Sequence, residues 1–265
     1  MSDFKIGIDY GGTKIEGILI DSNGKEILRK RSTYEKNYES GLNTVKSLVS
    51  EFDKFTDQQN SVGVCIPGFS SYETGLVNNA NCIWINDKPF HKDLEKSLNR
   101  EIRIMNDANC FALSEAIDGS GANYKSVWGI IIGSGFGGSF VYEKKVIEGV
   151  NQIAGDWGHQ PLPYPTEEEI NSNVQCNVGN CKRPLCAEQF ISGIGFTKLF
   201  NEKYGTSLRT REIVALEANG DERAKKEFEL YEDRFARLIS VMIGIVDPEV
   251  IVFGGGMSNV GRIYD

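Results

Sequence analysis

Two rhythms of apolar residues alternate along the first half of the chain. Lys5-Ile6-Gly7-Ile8-Asp9 is a short apolar run, Gly11-Gly12-Thr13 breaks it, and Glu16-Gly17-Ile18-Leu19-Ile20 resumes it before the turn signal Asp21-Ser22-Asn23-Gly24. The pattern predicts strand, turn, strand. Leu42, Val45, Leu48, Val49, Phe52 and Phe55 then recur at helical spacing. Val62 to Ile66 reads as a buried strand stopped by Pro67-Gly68, and Phe90, Leu94 and Leu98 mark a second amphipathic helix. Glu101 to Met105 is a strand running into Asn106-Asp107-Ala108-Asn109, and the helix that follows ends near Gly119 and Gly121.

The second half repeats the alternation. Val127 to Ile132 predicts a buried strand, a glycine-rich turn lies between Gly133 and Gly138, and Ser139 to Val150 reads as a second strand and hairpin. Pro161 to Pro184 is polar and rich in Pro, Asn and Cys, so it needs an organiser other than an apolar core. Ala224, Phe228, Tyr231, Phe235, Leu238, Ile239 and Met242 mark a long helix, followed by Pro248, the strand Val250 to Phe253, and Gly254-Gly255-Gly256. An apolar strand followed by glycines thus occurs near Asp9, near Gly133 and near Gly254. Strands alternating with helices imply an α/β fold.

The 265 residues are a prior for about two domains, and the composition is that of an ordinary globular protein. No apolar run is long enough to cross a bilayer, and MSDFKIGID lacks the form of a secretory signal. A cytoplasmic location and no membrane partner are therefore expected. The formal charge of −8 argues against a nucleic-acid partner. It leaves a nucleotide open, since local backbone groups and a metal ion can hold a small phosphate ligand.

Five motifs carry chemistry. In Asp9-Tyr10-Gly11-Gly12-Thr13-Lys14 the glycines let backbone N–H groups approach phosphate oxygens, Thr13 and Lys14 add donors, and Asp9 suits a Mg²⁺-bound water. A plain hairpin turn with an exposed lysine fits equally. Gly133-Ser134-Gly135-Phe136-Gly137-Gly138 matches the dinucleotide fingerprint in form, with Asp156 near its acidic position. That fingerprint must open a helix, whereas Phe140-Val141-Tyr142 continues as strand, which leaves a phosphate-binding turn. Gly254-Gly255-Gly256 suits a flat ligand against the backbone, or a simple strand-to-helix turn.

Asp107, at a strand end and helix start, is placed to accept the proton of an attacking hydroxyl or to cap the helix, the cap being the commoner role for an aspartate there. His159 with Cys176, Cys181 and Cys186 is the donor set of a closed tetrahedral zinc site, although the Cys–x4–Cys–x4–Cys spacing is wide and free thiols are the alternative.

Taken in order, GIDYGGTKIEG, GVCIPG, NNANCIWIN, NDANCFALSEA, IIGSGFGG, AGDWGHQPLP, CAEQFISGIGF and DPEVIVFGGGMSNV resemble the ROK family of bacterial sugar kinases, within it the fructokinase/mannokinase type. The resemblance implies a two-domain actin-like ATPase fold of the ribonuclease H-like class with its active site in the interdomain cleft. A smaller α/β domain would span 1–118 and a larger one, with the zinc-type loop, 119–265.

The resemblance also assigns roles. Gly11, Gly12, Gly133, Ser134, Gly135 and Gly137, with Asp9, Thr13 and Lys14, would serve the ATP phosphates, and Gly254, Gly255 and Gly256 the adenosine side. Asp107 becomes the catalytic base. Asn106, His159 and Glu188, with Asp156 and Asn81, fall on the sugar side, and His159 with Cys176, Cys181 and Cys186 on a structural zinc. The implied reaction is transfer of the γ-phosphate of MgATP to a hexose, fructose first, with another hexose or an N-acetylhexosamine as the alternative. A homodimer is implied as well. A sugar-responsive repressor would need a DNA-binding module ahead of Asp9, where the sequence leaves no room.

Three departures qualify the expectation. Asp156 stands where the family usually has Glu. The usual C-x-C-x4-C loop is matched by Cys181 and Cys186 but has Gly179 in place of its first cysteine, with Cys176 displaced. The chain stops at Asp265, where family members continue with a final helical segment. A sugar-binding relative without turnover is the non-enzyme alternative these departures suggest.

Overall fold

The structure is a computed structural model and describes residues 4–176, 178 and 181–264. The chain divides into two units, Met1–Cys110 with Gly149–Ile153, and Phe111–Glu148 with Ala154–Asp265.

The first unit is built on a five-stranded sheet. Its elements are β1 (Phe4–Tyr10), β2 (Lys14–Asp21), β3 (Glu26–Thr33), α1 (Tyr38–Thr56), β4 (Ser61–Ile66), the short β5 (Phe69–Ser70) and β6 (Val77–Asn78), a 3₁₀ turn at Ile83–Ile85, α2 (Phe90–Leu98) and β7 (Ile102–Asn106). The strand order is β3-β2-β1-β4-β7. The first three strands form an antiparallel meander, and β4 and β7 join parallel to β1.

Period-two alternation buries Ile6, Ile8 and Tyr10 of β1 and Ile15 and Leu19 of β2, and the helical stripe Leu42, Val45, Leu48, Val49 and Phe52 joins the same core. β3 escapes a reading by apolar periodicity because it is a charged edge strand. Its Arg29 and Arg31 pair with Glu16 of β2, and charge on an edge discourages strand addition.

The helix α3 (Asp107–Ile117) begins in the first unit and continues into the second. The second unit has β8 (Ser126–Ile132), β9 (Phe136–Tyr142), β10 (Lys145–Val146), α4 (Glu167–Asn171), α5 (Ala187–Ile191), α6 (Gly193–Tyr204), α7 (Thr210–Ala218), α8 (Glu222–Val246) and β11 (Val250–Gly254), followed by two 3₁₀ turns. Its sheet runs β10-β9-β8-β11, again an antiparallel meander with a parallel strand beside its first member. The strand-and-glycine echo in the sequence is thus an echo of topology. α8 buries Ala224, Phe228, Tyr231, Phe235 and Leu238, largely on the stripe its spacing predicts.

The glycine turn is shorter than its sequence suggests. Ile132 pairs with Phe136, so the turn is Gly133–Gly135, and Gly137 and Gly138 are strand residues of β9. Cross-strand pairing outweighs the weak strand preference of glycine. Gly254 likewise closes β11 rather than opening a turn.

The polar window before Pro184 has an organiser in α8. Thr166 and Glu169 form a reciprocal capping box at the start of α4. The buried Glu169 carboxylate accepts from Arg234 Nε at 2.8 Å and Arg237 Nη2 at 2.8 Å, while Arg237 also donates to the Pro163 and Tyr164 carbonyls. Burial works against the charge on Glu169, but the two guanidinia outweigh it and hold its carboxyl below the usual range. Among the described residues no helix is long and apolar enough to cross a membrane.

Glu169→Ala leaves two half-buried guanidinia without their carboxylate and should cost about 3–5 kcal/mol in urea unfolding. In the parent chain this contribution is present above the unfolded-state glutamate pKa of about 4.3 and is lost as pH falls through the depressed folded value. The variant should therefore show a shallower loss of stability in acid.

Candidate active site

Parallel pairing brings the C-terminal ends of β1, β4 and β7 together. Asp9 lies beside Cys65, and Cys65 beside Met105. Asp9, the Pro67-Gly68 turn and Asn106-Asp107 therefore leave the sheet at one end, the end where open α/β sheets carry their ligands. The Cys65 thiol donates to Asp9 Oδ1 at 3.4 Å. Beside it, the Gly11–Thr13 turn is held by the Tyr34 hydroxyl, which donates to the Gly11 carbonyl at 2.8 Å. Thr13 and Lys14 are exposed at its tip.

Asn106 takes the larger share of the capping. Its Oδ1 accepts the N–H groups of Ala108 at 2.9 Å and Asn109 at 3.2 Å, and its Nδ2 donates to the Gly68 carbonyl at 2.9 Å. Asn106 is the N-cap of α3, so the amide expected on the sugar side is largely engaged by the backbone. Asp107 also accepts the Ala108 N–H, at 2.8 Å, and its own backbone N–H and the Asn106 side chain bond to its carboxylate as well. The residue is exposed by surface area, but protein crowds its carboxyl. That burial raises its pKa, and the Asp9 carboxylate adds to the rise.

Gly68 has φ +80°, and a Cβ there would collide with the Asn78 carbonyl and the Ala80 backbone. The loop bearing Asn81 can therefore lie directly on it. Asn86 fixes that loop from the other side, accepting from Ala80 N and donating to Ala80 O, both at 2.9 Å. Asn81 itself is exposed and accepts the Cys82 thiol at 3.5 Å.

In the second unit Gly133, Ser134 and Gly135 meet two further elements. The Gly133 carbonyl accepts the Gly193 N–H at 2.8 Å, at the start of α6, which Ser192 caps by accepting from Gly195 N. Gly255, at φ +84°, stands so close to the Ile132 carbonyl and Gly133 N that only glycine fits. The Gly254–Gly256 stretch and the β8–β9 turn are thus adjacent. Gly193 was not singled out by the sequence reading, although Ser192-Gly193-Ile194-Gly195 carries a cap signal.

Glu188 is buried at the start of α5. Its carboxyl is raised by burial against the lowering influence of His159 and the Phe136 N–H, with Asp156 adding to the rise. His159 faces it with Nε2 at 3.9 Å. The other ring nitrogen, Nδ1, lies 3.4 Å from Cys186 Sγ and 3.7 Å from Cys176 Sγ.

With Cys181, these four donor atoms all lie within 4.8 Å of one another. A tetrahedron built on usual zinc–sulfur and zinc–nitrogen lengths has edges of about 3.5–3.8 Å, so the donor set fits such an ion. Chain folding rather than spacing assembles it, through the bridges Pro161 to Cys186 and Gln175 to Pro184. Gly179 lies outside the described residues.

A meander with parallel strands in each unit is the sheet pattern of the two-domain actin-like ATPases, and solved structures share it over the length of this chain. A ROK hexokinase from Thermus thermophilus superposes with a TM-score of 0.83 at 23% identity, covering 98% of this chain and 85% of the other. A ROK family glucokinase from Streptomyces griseus, in complex with glucose and AMPPNP, superposes with 0.77 at 21% identity, with 98% and 85% covered. The ROK family model matches residues 5–265.

An N-acetyl-D-glucosamine kinase of Pasteurella multocida (strain Pm70) is 38% identical over 266 residues, covering 98% of this chain and 86% of the relative. Another, from Citrobacter koseri, is 39% identical over 258 residues, with 97% and 85% covered. The chain belongs to the ROK family, as an ATP-dependent sugar kinase.

The electrostatics of Asp107 are directly testable. Carboxyl-carbon NMR should give it a pKa above the usual aspartate value of about 3.9, and Asp9→Asn should lower it. A raised folded pKa means the charged form is disfavoured in the fold, so Asp107→Asn should leave thermal stability unchanged or increased.

Proposed function

We propose that this chain transfers the γ-phosphate of ATP to a hydroxyl of N-acetyl-D-glucosamine, with Asp107 as the base. The observation that carries the chemistry is the Asp107 carboxylate at the end of β7, beside the Asn106 cap, in surroundings that raise its pKa above the usual aspartate range. Support for the sugar comes from the relatives at 38–39% identity over nearly the whole chain, which are named N-acetyl-D-glucosamine kinases. Fructose, the first expectation from the resemblance, finds no support among them.

In this reading Asp107 takes the proton from the attacking hydroxyl as the new oxygen–phosphorus bond forms. The bond from the γ-phosphorus to the β–γ bridging oxygen then breaks, and ADP leaves. The Gly11 and Gly133 N–H groups close their turns on the Lys14 and Gly135 carbonyls, so Gly12, Ser134 and Gly135 offer backbone N–H groups to phosphate oxygens, and Gly254–Gly256 leaves backbone bare for the adenosine. Asp156, His159 and Glu188 bind sugar hydroxyls, with Asn81 and Asn106 contributing from their loop and cap. Mg²⁺ arriving with ATP would supply charge neutralisation, and Asp9 would orient its water shell. A zinc ion on His159 Nδ1 and the three cysteines would order the 161–186 segment and direct the Nε2 proton toward Glu188. The reading includes a cytoplasmic enzyme, where ATP is available, and a homodimer that sedimentation would reveal.

A coupled ADP-release assay over N-acetyl-D-glucosamine, N-acetylmannosamine, glucose, mannose and fructose tests it. N-acetyl-D-glucosamine should give the highest kcat/KM, and Asp107→Asn should lower kcat by about 10²–10⁴ without loss of stability. The acid limb of kcat/KM should lie above the ordinary aspartate range. No turnover on any of these sugars from folded protein would sink the reading. Metal analysis of the purified protein should find one zinc per chain, retained through dialysis and lost in Cys181→Ser.

A further inference from the structure

The residues read as phosphate-binding and those read as sugar-binding in the second unit converge on one residue that has been given no role. Phe136 is the first residue of β9, directly after the Gly133–Gly135 turn. Its N–H donates to the Glu188 carboxylate. Gly135 borders the same carboxylate, since a methyl group added there would stand 3.6 Å from Glu188 Oε2.

The Phe136 carbonyl oxygen lies so close to Gly158 that a Cβ at that position has no room. Gly158 precedes His159, and its own carbonyl accepts the Glu188 N–H at 2.9 Å. The Phe136 ring packs on Trp157, centroids 4.9 Å apart, and Trp157 follows Asp156. Trp157 is 4% exposed and meets Trp128 at 5.6 Å, while the Phe136 ring is backed by Phe235 at 6.3 Å. One residue thus touches Glu188, the support of His159 and the neighbour of Asp156, and is one peptide bond from the turn.

We propose that Phe136 is a positioning residue that couples the two substrates, so that nucleotide phosphate on the Gly133–Gly135 turn and sugar on Asp156, His159 and Glu188 each raise the other's affinity. The inference rests on the function proposed above. Its physical basis is close packing. The turn, the Phe136 peptide and the Gly155–His159 loop leave no slack between them, so a turn ordered by phosphate fixes the peptide that holds Glu188 and the ring that holds Trp157. The second ligand then meets a partly ordered site and loses less conformational entropy on binding. Linkage makes the effect reciprocal.

The test is calorimetric titration of the full chain with N-acetyl-D-glucosamine, alone and with saturating AMPPNP and Mg²⁺. The wild-type chain should bind the sugar about 5–150-fold more tightly with the nucleotide present. Phe136→Leu keeps both backbone contacts but loses the aromatic face, and should reduce the factor to about threefold or less, with a smaller change in sugar affinity in the absence of nucleotide.

Trp157→Phe keeps ring against ring and should retain the coupling. If Phe136→Leu does not fold, Trp157→Leu removes the same contact from the other side. Equal sugar affinity with and without nucleotide overturns the proposal, as does full coupling in the variant that folds. Absence of sugar binding in every titration would overturn the proposed function and this inference together. Binding without coupling would overturn this inference alone.

Discussion

The side-chain amide of Asn106 joins three pieces of structure at the end of the first sheet. Its oxygen closes the first turn of α3, and its nitrogen holds the Gly68 carbonyl, on whose α-carbon the Asn81 loop rests. A helix start needs an acceptor for its free N–H groups. Either Asn106 or Asp107 has the chemistry to supply it. The neutral amide takes two of those N–H groups and shares one of them with Asp107, whose carboxylate stands at the strand end beside the cap. The same amide makes the height of the Asn81 loop depend on the cap. Substitutions at Asn106 therefore disturb more than any single contact of its own.

The second unit applies a comparable economy with different parts. Glu188 opens a short, wholly buried helix, and its neighbourhood is fixed by backbone rather than by long side chains. Gly158 and Gly255 permit contacts between chain segments that a single methyl group would prevent. His159 is held between two environments, thiols on one ring nitrogen and a carboxylate on the other. A metal on the thiol side would fix the tautomer, and with it the proton offered on the carboxylate side.

Much of this was legible in the sequence where burial imposes a period. β1, β4, β8 and β11 read as apolar runs because they carry the sheets, and α1, α2 and α8 read as stripes because one face is buried. β3 did not, because its outward charges serve an edge. α5 did not, because burial on every side erases the stripe, and α6 was hidden by two glycines in its first turn. The metal-type cluster was legible by residue type but not by spacing, since two isolated bridges in the chain close it. The capping question could not be read at all. Asn and Asp are both good caps, and only coordinates show that Asn106 takes the larger share while Asp107 accepts one of the same N–H groups.

The direction in which the carboxyl groups are perturbed sorts them by role. Glu16 and Glu169 sit against arginines and are held below the usual range, and the half-buried Glu212 and Asp221 are drawn down to about 2 by Arg209 and Arg223. Each of these charges has a partner that favours it, which is what an ion pair in a structural role requires. Asp107 and Glu188 move the other way, because burial dominates and the nearest acidic neighbours, Asp9 and Asp156, oppose their ionisation. Folding gains nothing from a carboxylate held in that condition, and an asparagine or glutamine would fit with less cost. That pattern is common at functional sites and supports the roles proposed for Asp107 and Glu188 over a role in stability.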